Sequence, residues 1–316
     1  MKRGLWSSRF AIPLSNLSGW RTRATFPPPA GGCTIVARDK CRLWRSTTGG
    51  FVLSYEVMQL FDAHLHLFDP RVTPVRAAFE SFAQTAGVVA CIGCAEHPSL
   101  WDAPVKSALS VVRAYGIHPW YADEGQAALG ALRDHLSADP AGLVGEIGLD
   151  GLRPTSDNGA AQVALLRAQL ALAAELNRPV VLHGARAWQA LFRELTPWVS
   201  RLPAILLHGA TFSPETLRLP LFQKGNFWIS LGGAVVNPNA RTVRALATAL
   251  PTEQLLIETD APDRLPFGAE GLGEARLNHP GNLPLIAETV AQLRGCDVAT
   301  LAAQTFTNAR KFAEKR

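Results

Sequence analysis

Two histidines one residue apart, His64 and His66 in "QLFDAHLHLFDP", lie in an otherwise apolar segment. In an extended strand alternate side chains share a face, so both imidazoles would point the same way, with Asp62 beside them. Two imidazoles converging from one rigid strand make half of a metal site. A pair of hydrogen-bonded core histidines would read the same, so the rest of the chain has to choose. It offers five more polar residues, each after an apolar run: His118 in "GIHP", Glu146 in "GEIGLD", His183 in "VVLHG", His208 in "ILLHG" and Asp260 in "IETDAP". Each has a structural explanation on its own. Glu146 could be a capping or salt-bridged carboxylate, His183 and His208 satisfied core histidines, and Asp260 a turn cap. Their common placement argues for one site.

His64, His66, Glu146, His183, His208 and Asp260 together make a mixed nitrogen and oxygen set. Such ligands suit zinc, manganese, nickel or iron, and magnesium to a lesser degree. Six donors exceed what one tetrahedral ion with an open position takes. They suit two divalent ions, typically ~3.5–4 Å apart, bridged by a carboxylate and a water. Ions so placed lower the pKa of that water and neutralise charge developing on a phosphoryl or carbonyl oxygen.

The elements that must position these groups are eight short apolar runs: 59–67, 87–94, 110–119, 142–150, 178–184, 202–209, 225–232 and 253–260. Helical patterns alternate with them. In 160–176, Val163, Leu166, Leu170 and Ala173 recur at spacings of 3, 4 and 3, which predicts a helix with one apolar face. Eightfold strand–helix alternation predicts a TIM (β/α)8 barrel, whose strand C-termini share one catalytic face. A doubly wound open sheet would call for a glycine-rich phosphate loop after an early strand, and the sequence has none.

The 316 residues are 47% apolar and 18% charged, which suits one large core. No run approaches the ~18 apolar residues of a membrane span. Five scattered cysteines do not make a disulfide framework and point to a reducing, cytoplasmic setting. Cys91 and Cys94, a C-x-x-C within an apolar run, read as buried packing thiols. The net charge of +5 is unevenly distributed. Residues 1–57 hold nine Lys/Arg against two acids, leaving 22 basic and 24 acidic residues in the remainder. The body therefore lacks the basic excess that non-specific duplex binding relies on.

Residues 1–57 are rich in Arg and Ser, carry no acid before Asp39 and show no usable periodicity. They are expected to be a disordered extension. Either translation begins at Met58, one of only two methionines, or the stretch is a transit peptide for a mitochondrion or plastid. The working part is a single domain over 58–316, expected to be a monomer with no membrane and no obligate protein partner.

"FDAHLHL", "GIHPW", "GEIGLD", "RAQLALAAELNRPVVLH", "LHG", "IETDAP" and "HPGNLP…TFTNARKF", in this order over about 59–312, resemble the TatD-type metal-dependent hydrolases of the amidohydrolase superfamily. The resemblance implies a TIM barrel with two metal ions. It puts His64, His66 and Asp260 on one ion, His183 and His208 on the other, and Glu146 between them, with His118 beside the site touching substrate. It implies a deoxyribonuclease acting on DNA ends or single strands from the 3′ side, with Asp260 positioning and deprotonating the attacking water. Some relatives act on D-aminoacyl-tRNA esters, so an ester or amide hydrolase is the alternative. A non-catalytic barrel module would require lost ligands, and none of the six is lost.

The chain departs from the family pattern at Gly151, where an aromatic residue is common. It departs again at Ala185, with arginine one place later at Arg186, and in "GATFS" and "TDAPD". Further candidates for substrate contact are Glu96, His97, Trp120, Tyr121, Arg264, Arg276 and Asn278.

Overall fold

The computed structural model describes residues 41–45, 51–55, 58–152 and 158–315. The chain divides into two units, Met1–Val57 and Met58–Arg316. In the first, β1 (Cys41–Arg45) and β2 (Phe51–Tyr55) pair antiparallel, Cys41 opposite Tyr55 and Arg45 opposite Phe51. The expectation of disorder over 1–57 otherwise lies outside the described residues. The hairpin was not anticipated, although "STTGG" between two apolar runs is a hairpin signal in its own right.

In the second unit eight strands run parallel in chain order: β3 (Leu60–Leu65), β4 (Val88–Ala95), β5 (Ser110–Tyr115), β6 (Leu143–Gly148), β7 (Val180–His183), β8 (Ile205–Leu207), β9 (Phe227–Leu231) and β10 (Leu255–Ile257). Each pairs with the next. The last meets the first beyond the end of β10. Asp260 N–H donates to His64 O (3.0 Å) and His66 N–H to Ala261 O (2.7 Å). This is the expected TIM barrel, with all eight predicted strands present. Most are shorter than predicted, losing residues from both ends, as in β8, which keeps only Ile205–Leu207 of the predicted 202–209.

The outer layer comprises α1 (Arg76–Thr85), α2 (Ala122–Gly125), α3 (Leu129–Ala138), α4 (Asn158–Glu175), α5 (Trp188–Leu195), α6 (Arg241–Ala249), α7 (Leu283–Arg294) and α8 (Val298–Ala313). Between β8 and β9 the crossover contains two 3-10 turns, Pro214–Arg218 and Pro220–Gln223, in place of an α-helix. Prolines at the head of each turn suit a helical start but prevent one continuous helix. The predicted helix over 160–176 is α4, and its buried surface is wider than one stripe. Leu165, Leu166, Gln169, Leu170, Leu172 and Ala173 are all enclosed, because α4 packs on β6 and also on α2 and α3.

Two apolar clusters form the core. One lies between strands and helices. The other joins Phe61, Ala63, Ile92, Cys94, Leu143, Val181, Leu206, Trp228 and Leu256 from strands around the ring. Each fully buried side chain of this size contributes about 1.5–3 kcal/mol of transfer free energy. The helix α8 closes this second cluster: Phe306 packs edge-on to Phe61 and Phe312 against Trp228. Asn308 of the same helix donates to the carbonyls of Thr252 and Leu255, tying the C-terminal "TFTNARKF" to the start of β10.

Candidate metal centre

His64 and His66 share a face as alternation predicts, but Asp62 does not join them. A register shift between Asp62 and Leu65 against β4 inserts an extra residue into β3 and re-phases the strand. Asp62 turns instead to Thr259, accepting its N–H (2.9 Å) and its hydroxyl (2.5 Å). It stitches the bulge to the segment that follows β10.

The other donors arrive from separate elements. Glu146 lies within β6, His183 ends β7, His208 follows β8, and His118 follows β5. Asp260 follows β10 in a left-handed conformation (φ 58°), which short polar side chains tolerate. Five imidazoles converge on Glu146. Its Oε1 lies 2.6 Å from His183 Nδ1, 2.7 Å from His208 Nε2 and 3.6 Å from His118 Nε2. Its Oε2 lies 3.2 Å from His64 Nε2 and 3.6 Å from His66 Nε2. Asp260 Oδ1 is 3.2 Å from His66 Nε2 and 3.5 Å from His64 Nε2. His64 and His208 stack with ring centroids 3.8 Å apart.

Three donor groups have ligand atoms mutually within 4.8 Å: His64, His66 and Glu146; His64, His208 and Asp260; His118, Glu146 and His183. His208 thus groups with His64 and Asp260, while its Nε2 also lies 3.2 Å from His183 Nδ1. His64 Nε2 and Glu146 Oε2 are buried and, though near each other, make no aligned hydrogen bond. Buried polar atoms without partners are costly. Atoms that converge without bonding one another fit a cation held between them.

The electrostatics agree. Burial pushes Glu146 up, yet the rings of His208, His64, His118 and His183 outweigh it and hold the carboxylate well below its usual range. Burial pushes His208 down, but Glu146 and Glu258 carry it well above the ordinary imidazole value. Glu96 and Asp260 do the same for His66, and Glu146 and Asp150 raise His183 against the opposing effect of burial. Asp260 is held down to about 2, with burial opposed by His66, His64 and His208. The pocket favours positive charge at its centre.

His118 differs. Burial lowers its pKa, so the ring is neutral. Its Nδ1 accepts the Trp120 N–H (3.2 Å), which leaves the proton on Nε2, facing the site. That makes His118 a donor rather than a ligand.

Each of the other four imidazoles turns its second nitrogen toward an acceptor that sequence reading did not identify as such. His66 Nδ1 faces Glu96 Oε2 (3.1 Å), and His183 Nε2 faces Asp150 Oδ2 (3.3 Å). His208 Nδ1 faces Glu258 Oε1 (3.4 Å), and His64 Nδ1 faces Cys94 Sγ (3.4 Å). Glu258 is anchored in turn by the Ser230 hydroxyl, and Asp150 by Trp120 Nε1–H (2.6 Å) and Leu152 N–H (2.6 Å). Metal-binding histidines characteristically have such outer partners.

The remaining candidates separate. Trp120 is 43% exposed and lies edge-on to His118. Arg264 Nε stands 3.8 Å from Asp260 Oδ2. His97 accepts the Ser99 N–H and packs against the Tyr121 ring. Arg276 donates to Ala269 O within its own loop. Asn278 is fully enclosed, donating to Thr259 O and accepting from His279 N–H and Asn282, so it holds the loop and has nothing to offer a substrate.

A family model described as "TatD related DNase" matches residues 61–314. The protein named 3'-5' ssDNA/RNA exonuclease TatD from Erwinia tasmaniensis is 37% identical over 217 residues, 66% of this chain and 83% of that one. Its namesake from Escherichia coli K12 is 36% identical over 197 residues, 62% and 75% of the two chains. The crystal structure of another TatD homologue of Escherichia coli K12 superposes with a TM-score of 0.71 at 28% identity, covering 82% of this chain and 98% of that one.

Proposed function

Because this chain belongs to the TatD related DNase family, we propose that it is a divalent-metal-dependent exonuclease that hydrolyses phosphodiester bonds from the 3′ end of single-stranded DNA or RNA. The observation that carries this is the convergence of His64, His66, His183, His208, Asp260 and Glu146 on one buried point, with His64 Nε2 and Glu146 Oε2 unpaired there. We assign His64, His66 and Asp260 to one ion and His183 and His208 to a second, with Glu146 shared. Such a pair, when bound, supplies a water of lowered pKa and screens charge on the phosphoryl group.

The chain's own residues do the rest. Asp260, ionised down to about pH 2, takes the proton of the attacking water. His118 donates its Nε2–H to an oxygen of the scissile phosphate. The exposed ring of Trp120 stacks on a base at the mouth. Arg264 is placed to meet phosphate. Among the described residues no helix is long and apolar enough to cross a membrane, and we place the protein in the cytoplasm as a monomer.

The test is release of a 3′-terminal fluorescent nucleotide from single-stranded DNA with Mg²⁺, Mn²⁺ or Zn²⁺. Replacing His64→Ala and His66→Ala together abolishes metal-dependent turnover, and activity that survives this change removes the assignment. The departures at Ala185, Arg186 and "GATFS" favour a second reading, an ester or amide hydrolase. Hydrolysis of aminoacyl esters with DNA left intact would select it.

A further inference from the structure

Of the four imidazoles whose inner nitrogens face Glu146 or Asp260, three have an outer nitrogen against a carboxylate, from Glu96, Asp150 or Glu258. The fourth, His64, has a thiol. Cys94 Sγ lies 3.4 Å from His64 Nδ1, both residues are fully enclosed, and among the described residues nothing else polar bonds that nitrogen. An imidazole can give a metal ion a lone pair only from the nitrogen that lacks the proton. His64 Nε2 is the atom that faces the other donors, so the proton belongs on Nδ1 and needs an acceptor. We propose that Cys94 is a positioning residue for His64: its sulfur accepts the Nδ1–H, fixing the tautomer and the tilt of the ring so that Nε2 is free for a metal ion.

Two observations separate this from packing and from redox chemistry. Cys94 belongs to the apolar cluster shared among the strands around the ring, directly under the site, whereas Cys91 belongs to the cluster on the helix side. Three residues apart on a strand, the two thiols face opposite ways, so the C-x-x-C does not act as a pair. Sulfur is a weak acceptor, and its larger radius makes 3.4 Å an ordinary contact with Nδ1. The site thus has one neutral outer acceptor among three carboxylates.

The proposal rests on the metal-centre reading and is independent of the substrate. The experiment is calorimetric titration of the full-length protein with Mn²⁺ and, separately, Zn²⁺, for wild type, Cys94→Val, Cys94→Ala and Cys94→Ser. Val keeps the bulk and removes the acceptor. It is expected to bind the tighter ion about 10–100-fold more weakly, the usual effect of removing an outer partner, while the melting temperature without metal stays within a few degrees. Ala follows Val, and guards against a Val variant that fails to fold. Ser restores an acceptor and recovers part of the affinity. Wild-type affinity in Cys94→Val overturns the proposal, as does equal weakening in Ser and Val, which would assign the loss to shape alone. A wild type that binds metal and leaves single-stranded DNA intact removes the nuclease reading and not this one. A wild type that binds neither metal removes both.

Discussion

Glu146 has five imidazole nitrogens within 3.6 Å, and at the rim Trp120 hydrogen-bonds to His118 and Asp150. Its backbone N–H fixes the tautomer of His118, and its indole N–H holds Asp150, which faces His183. The exposed part of the ring is what a nucleobase would meet. Base stacking is worth about 1–3 kcal/mol per base, so Trp120→Ala should raise KM for single-stranded DNA about 5–150-fold. It should leave hydrolysis of bis(p-nitrophenyl) phosphate, which has no base, nearly unchanged. Trp120→Phe should keep most of the DNA affinity, and equal losses on both substrates would place the effect in the Asp150 contact instead. The six inner donors were legible because a polar residue ending an apolar strand is costly unless used. Asp150, Glu258 and Cys94 were not, because which outer group meets which imidazole depends on the register of neighbouring strands. Glu96 was noticed, but as a substrate contact rather than the partner of His66.

The elements are positioned by small backbone features with weak sequence signals. Gly148 has φ 152°, and a Cβ there would lie 2.0 Å from His183 O; one at Gly145 would lie 2.6 Å from Val181 Cβ. Both glycines of "GEIG" therefore let β6 press against β7 and bring Glu146 to His183. The bulge in β3 is equally silent in the sequence, which is why period-2 reading misplaced Asp62. Across the closing seam, Arg71 pairs with Asp69 and reaches Asp263 at 2.7–2.9 Å, 192 residues away. Burial pushes Asp69 up, but the guanidinium and N–H of Arg71 outweigh it, and the carboxyl is held below its usual value. A depressed carboxylate stabilises the fold above its unfolded pKa, and the contribution is lost as pH falls through the folded value. Arg71 is half exposed, so its pairing should be worth only about 1 kcal/mol. Asp69→Asn should therefore lower stability to urea by about that amount at pH 7, and the gap should narrow as pH drops below about 4. A gap of constant size across that range would show that charge is not the cause.

At the scale of the whole chain, β3 finds a partner on each side within residues 58–316, and among the described residues both apolar clusters are drawn from that stretch. The family match begins at residue 61, one residue into β3. Eightfold alternation made this architecture legible from sequence, since each strand–helix unit repeats the same two periods. The hairpin of β1 and β2 was hidden by the composition around it. The charge is divided at the same place, with nine Lys/Arg against two acids before Met58 and a slight acidic excess after it. A protein beginning at Met58 should melt within a few degrees of the full chain and bind Mn²⁺ with the same affinity. It should also hydrolyse bis(p-nitrophenyl) phosphate at the same kcat. The two proteins should differ on single-stranded DNA, where each phosphate neutralised steepens the fall of log affinity with log salt by about 0.7. The full chain should show the steeper slope. If the shorter protein aggregates or loses its metal, residues 1–57 contribute to the barrel itself. If it folds and acts with an unchanged slope, their positive charge does not reach the substrate.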